Sequence, residues 1–170
     1  MKTARTTILT IILLTLLLAL PAIAQQATEQ PDTTQQLWLP GQRFPAFDLQ
    51  DAINIDLGRL GPGEAYEELL RMVASPAEHV GQTLRLTGEY FHQVDAGTGE
   101  ITHRIVVSDE GVCCQVGLGF VLTGEPRTLE ELPKDYSIIE IAGVWGMMDV
   151  GGQQYPRLLV NEITVLQPAG

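Results

Sequence analysis

The chain has 170 residues, 45% of them apolar, and its 21 acidic against 10 basic side chains give a formal charge of −11. Its two cysteines, Cys113 and Cys114, are neighbours and cannot close a long loop, so a disulfide-stapled miniprotein is excluded and one domain with an ordinary apolar core is expected. So acidic a surface repels phosphate backbones and anionic headgroups, which sets an expectation of no nucleic acid and of cations or basic proteins as partners.

At the start, Lys2 and Arg5 precede an apolar run over residues 8–20 that is interrupted only by Thr10 and Thr15, and Ala22-Ile23-Ala24 follows Pro21. This is the pattern of a secretory signal peptide over residues 1–24 with an A-x-A cleavage site. The run falls short of the roughly 20 residues that span a bilayer, and no second one exists, so the mature chain is expected to be exported without a transmembrane anchor, to the periplasm or the exterior. With no cysteine near the cleavage point, a lipoprotein anchor is not expected either. Removing residues 1–24 leaves 146 residues and, with Lys2 and Arg5 gone, takes the formal charge to −13.

Residues 25–36 are Gln, Thr, Pro, Ala, Glu and Asp without periodicity, the composition of a flexible linker. The stretch after it carries Trp38, Phe44 and Phe47, too apolar for plain linker, and is expected to lie across the domain and cover an edge. The division that follows is a linker and edge-covering segment over 25–48 and a β domain over 49–168, with its core at about 63–166.

Gly61-Pro62-Gly63 is a strong breaker, after which Tyr66, Leu69, Leu70 and Val73 recur at helical spacing. Acidic residues in the opening turns suit the helix dipole, and Ser75-Pro76 ends the helix. From Gln82 the period becomes two. Leu84, Leu86, Tyr90 and His92 share a face, Gly88 marks a bend or bulge, and Asp95 to Gly99 makes a turn into a strand whose inner face is Ile101, His103, Ile105 and Val107. Residues 112–122, 138–145 and 155–166 read as three more strands, with a loop and one helical turn near Leu129 after the first of them and Gly151-Gly152 as the last turn. This order predicts a mainly β fold, a small five-stranded antiparallel OB-like barrel with one N-terminal amphipathic helix; a β-sandwich or an open antiparallel sheet has similar periodicity.

On a regular strand Cys114 shares the apolar face of Val116, Leu118 and Phe120, while Cys113 faces the other way. Three readings compete: a core thiol beside a part-exposed one, a vicinal disulfide, and soft metal ligands with histidine as companion. If the hairpin turns symmetrically about Gly97 and Thr98, His92 stands opposite His103 with Cβ atoms about 5 Å apart. Cys113, Cys114, His92 and His103 are therefore the candidate ligands of zinc or another divalent transition metal, and no catalytic residue is assigned. The binding-module reading carries the metal; its alternatives are a structural or protein-interaction domain and, with less support, a thiol oxidoreductase or hydrolase, since Cys-Cys lacks the spacer of a C-x-x-C motif. Asp109-Glu110-Gly111 reads as a solvated turn.

Residues 66–72, the stretch from Pro76 to Gly88 and above all Cys113-Cys114-Gln115-Val116-Gly117-Leu118-Gly119-Phe120 resemble a set of uncharacterised bacterial exported proteins with a CC-x-x-G-L-x-F signature. The C-terminal domain of YcgQ-type permease partners is similar at greater distance. The resemblance implies a secreted or cell-envelope OB-like domain, with an unknown envelope protein or a small ligand as partner, and brings no reaction with it. Gly119 departs from the pattern, in which an acidic residue commonly precedes the phenylalanine.

Overall fold

The computed structural model describes residues 38–47, 49 and 53–170. The signal-peptide and linker expectations over 1–36 lie outside them. Among the described residues no helix is long and apolar enough to cross a membrane.

Six strands form one sheet: β1 (Ile55–Asp56), β2 (Thr83–Val94), β3 (Ile101–Ser108), β4 (Gln115–Leu122), β5 (Ile138–Val150) and β6 (Gln153–Gln167). Strand β2 pairs antiparallel with both β3 and β5, so β2 to β6 close on themselves and leave no edges between them. That closure excludes the sandwich and the open sheet. The barrel is mixed rather than purely antiparallel, because β4 and β6 run parallel, Gly119 against Arg157 and Phe120 against Leu158. The connection between β4 and β5 holds a single 3-10 turn, Leu129–Glu131, where one helical turn was expected.

Alternation sets the barrel interior. Leu84, Leu86, Tyr90, Ile105, Leu118, Ile141, Trp145 and Leu158 point inward and are almost wholly buried. Gly88 is needed for closeness: a Cβ there would lie 2.5 Å from the Val106 carbonyl oxygen. Helix α1 (Pro62–Ala74) packs Ala65, Leu69 and Met72 into the same core. Its buried stripe is turned slightly from the expected one, since Leu70 points to solvent while Tyr66 and Val73 are half-buried at the flanks.

Residues 38–47 run beside β5 and β6. Trp38 donates its N–H to the Met147 carbonyl at 2.9 Å and accepts from Asp149 at 2.8 Å, and its ring fills the space over Gly146. Asn161 on β6 accepts the Phe47 N–H at 3.2 Å through its Oδ1 and returns its amide N–H to the Phe47 carbonyl.

Candidate functional site

The β3–β4 connection begins where the ladder ends at Ser108 and Gln115. The third strand starts at Gln115, not at residue 112, so both cysteines belong to the turn. The reason lies in the backbone: Val112 has φ of +55°, a left-handed conformation that no strand tolerates and that a β-branched residue rarely adopts. The turn brings both sulfurs to one side. Cys113 Sγ lies 3.5 Å from Cys114 Sγ, and both thiols are free and exposed. The expectation that Cys114 enters the core is therefore corrected, and the S···S distance is well beyond the bond length of about 2.05 Å of a disulfide.

The acceptor that organises this turn is Asp109. Its Oδ1 receives the N–H of Cys113 at 2.9 Å and of Cys114 at 3.3 Å, and its Oδ2 receives the Cys113 thiol at 3.1 Å. These donors, the thiol first, hold Asp109 below the usual carboxylate range. The same bond, joined by Cys114, pushes the Cys113 thiol up to about 11. Cys113 is thus a protonated donor at neutral pH, the opposite of an activated nucleophile. Helix α1 forms the back wall: the Tyr66 hydroxyl engages the Cys114 side chain, and Glu110 packs against Gly63, where a Cβ would sit 3.0 Å from its Cγ.

Asp109, Cys113 and Cys114 offer ligand atoms that all lie within 4.8 Å of one another. By composition Asp109 reads as a solvated turn residue, or at most one carboxylate of a hydrolase pair; the signal that points to it is an acceptor side chain placed just before a turn whose N–H groups leave the ladder.

The histidines occupy another part of the barrel. The symmetric-hairpin expectation holds, with His92 directly opposite His103. His103 also pairs with Phe120, five positions along β3 from the Ser108–Gln115 level, so the two pairs are separated by about 17 Å of strand. One site built from Cys113, Cys114, His92 and His103 is corrected on that ground. His103 Nδ1 is engaged by the Tyr90 hydroxyl at 2.9 Å and its ring stacks on Phe120. Burial first, then the neighbouring His92 and Arg127, lower its pKa to about 4. His92 donates its backbone N–H to Asp135 Oδ1 at 2.9 Å. That oxygen also lies 2.8 Å from His92 Nδ1, but out of line for a hydrogen bond.

Both histidines border an open groove of about 840 Å³ across β3, β4 and β6. Among the described residues its lining contains Arg43, Arg104, Arg127 and Arg157 and two acids, Glu100 and Glu125, so these side chains carry a net charge opposite in sign to that of the chain.

No family model and no curated protein matches the chain. Among solved structures, it is similar to the mitochondrial single-stranded DNA binding protein Rim1 of S. cerevisiae in two crystal forms. Form 1 has 14% identity and a TM-score of 0.41 over 53% of this chain and 98% of that one. Form 2 has 12% identity and a TM-score of 0.42 over 53% and 99%. The solution structure of the OB domain of Ta0387 from Thermoplasma acidophilum has 10% identity and a TM-score of 0.27 over 68% and 90%. These likenesses are of fold. The expectation of no nucleic acid is corrected: Rim1 is described as a single-stranded DNA binding protein, and net charge, which sums the whole surface and not the part a ligand meets, does not exclude such a partner. The chain is a mainly β domain with the closed barrel of an OB fold.

Proposed function

We propose that the protein is an exported binding module that holds a divalent transition metal, zinc being the reference ion, at Asp109, Cys113 and Cys114. The observation that carries this is the convergence of one carboxylate and two sulfurs at 3.1 and 3.5 Å, close to the edges of a tetrahedron with bonds of roughly 2.0–2.3 Å. Two backbone N–H groups already fix the carboxylate, so little ordering remains for binding. An incoming cation displaces the proton that Cys113 shares with Asp109 and stabilises the thiolate in its place. Three protein ligands leave a fourth position for a small ligand or a side chain of an envelope partner.

The test is zinc content of the reduced full chain after dialysis. One equivalent is expected, retained in His92→Gln and His103→Gln and lost in Cys113→Ser and Cys114→Ser. Absence of stoichiometric zinc, or loss in the histidine variants alone, rejects the assignment.

A further inference from the structure

The described arginines divide into two groups. Arg59 and Arg85 pair with Asp56, and Arg71 pairs with Glu68. The four that line the groove have no carboxylate of the described residues within 4.0 Å. Arg157 donates only to the neighbouring Pro156 carbonyl at 3.0 Å, and Arg127 to the Asn161 carbonyl at 3.4 Å. Arg127 lies near Glu131 and Arg157 stands 5.9 Å over the Tyr155 ring, but in a chain with about twice as many acids as bases, Arg104 and Arg157 left beside one another without a salt bridge mark a place for an external anion.

The ladders show how two of them converge. Arg104 on β3 pairs with Gly119 on β4, and Gly119 pairs with Arg157 on β6, so the two arginines flank a glycine in one row across the outer face. Gly119 is covered by Arg157: a Cβ there would sit 2.7 Å from the guanidinium carbon. Arg104 lies instead over Gly117, whose Cβ would be 2.9 Å from its Cδ. Gly117 and Gly119 share a face of one strand, so the end of the Arg104 stem and the Arg157 guanidinium lie over neighbouring positions about 7 Å apart. The two glycines thus form a floor on which both arginine arms lie flat. Burial and the charge of Arg104 hold the Arg157 guanidinium below its ordinary value, as expected for a half-buried cation facing another without a counterion.

We propose that Arg104 and Arg157 form a phosphate subsite, gripping one tetrahedral phosphate group of an anionic ligand between guanidinium forks laid over Gly117 and Gly119. A planar carboxylate is saturated by one fork. A phosphate accepts from two, with charge-assisted bonds of about 2.8 Å on each side. The group belongs either to a free phosphorylated small molecule or to a phosphodiester of a single strand lying along β3, with Phe91, directly opposite Arg104 on β2, beside it. This subsite is independent of the metal reading.

The experiment titrates the reduced full chain with inorganic phosphate by calorimetry and with a fluorescein-labelled oligothymidylate by anisotropy, phosphate serving as competitor. Arg104→Gln and Arg157→Gln are expected to weaken binding at least about ten-fold each, with unchanged melting temperatures. Gly119→Ala keeps both charges but displaces the Arg157 guanidinium, and is expected to do the same. Arg71→Gln, which removes a charge outside the groove, and Cys113→Ser leave binding unchanged. Binding of phosphate alone identifies a small phosphorylated ligand, and binding of the oligonucleotide with phosphate competing identifies a strand; both support the subsite. It is overturned if neither probe binds at millimolar concentration, if Arg71→Gln weakens binding as much as the groove variants, or if oligogalacturonate binds as tightly and with the same arginine dependence.

Discussion

Val112 holds a φ of +55° and is 70% exposed, so nothing buried compensates its conformation. A left-handed residue with a Cβ costs about 1–2 kcal/mol, and the strain is borne at the turn that brings the two sulfurs together. Asparagine adopts this region more readily, so Val112→Asn is expected to raise stability by about 1 kcal/mol in urea denaturation and to leave the zinc content unchanged. A loss of stability would show that the valine side chain contributes packing not visible in the free chain. Val112 also explains why Cys114 lies off the apolar face that alternation assigns it. Alternation was carried back from Val116 to Cys114, which would bury its sulfur, yet the strand begins only at Gln115 and the parity ends there.

Among the elements, the strands follow from their own alternation, and β2 and β3 were legible down to register because a short loop with Asp95 and Gly99 at its ends fixes which residues face. The length of β5 was not legible: it continues to Val150, past the expected end at Trp145, because Gly146 takes the Trp38 ring from a remote segment. Strand β5 also carries an irregularity between Ile141 and Gly143, where a Cβ would lie 2.2 Å from the Leu159 carbonyl oxygen. Gly143→Ala must push a backbone atom rather than a flexible side chain, so a loss of about 3 kcal/mol is expected, the upper end of the usual overpacking cost. A change of only a few tenths in the unfolding free energy would mean that the β5–β6 ladder shifts freely there. Helix α1 makes a complementary test. Leu69 is fully buried between helix and barrel, and Leu69→Ala is expected to cost about 3 kcal/mol through lost burial and the cavity left behind.

For the whole molecule, the acid side of the stability profile depends on His103. The unfolded chain takes up this proton near the ordinary histidine value of about 6.5, whereas the folded chain does so only near 4. Stability from this group is complete above pH 6.5 and declines as pH falls from there to 4, by on the order of 3 kcal/mol. Asp95, Asp109 and Glu131, held below their usual range by hydrogen bonds, lose their contributions only at lower pH. Urea midpoints at about pH 7 and pH 4.5 should therefore differ strongly in the natural protein and much less in His103→Gln, which keeps a hydrogen-bonding partner for Tyr90; an equal difference in both would remove His103 as the cause. The sequence by itself determined the β class, the helix, the inward faces of most strands, the pairing of His92 with His103 and the adjacency of the cysteines, because all of these follow from local periodicity or a short turn. Only the tertiary structure decided that β4 meets β6 in parallel, that Asp109 rather than histidine joins the cysteines, and that Arg104 and Arg157 share a glycine floor in an otherwise acidic protein. Those meetings depend on which distant strands become neighbours when the barrel closes, and no local pattern encodes that choice.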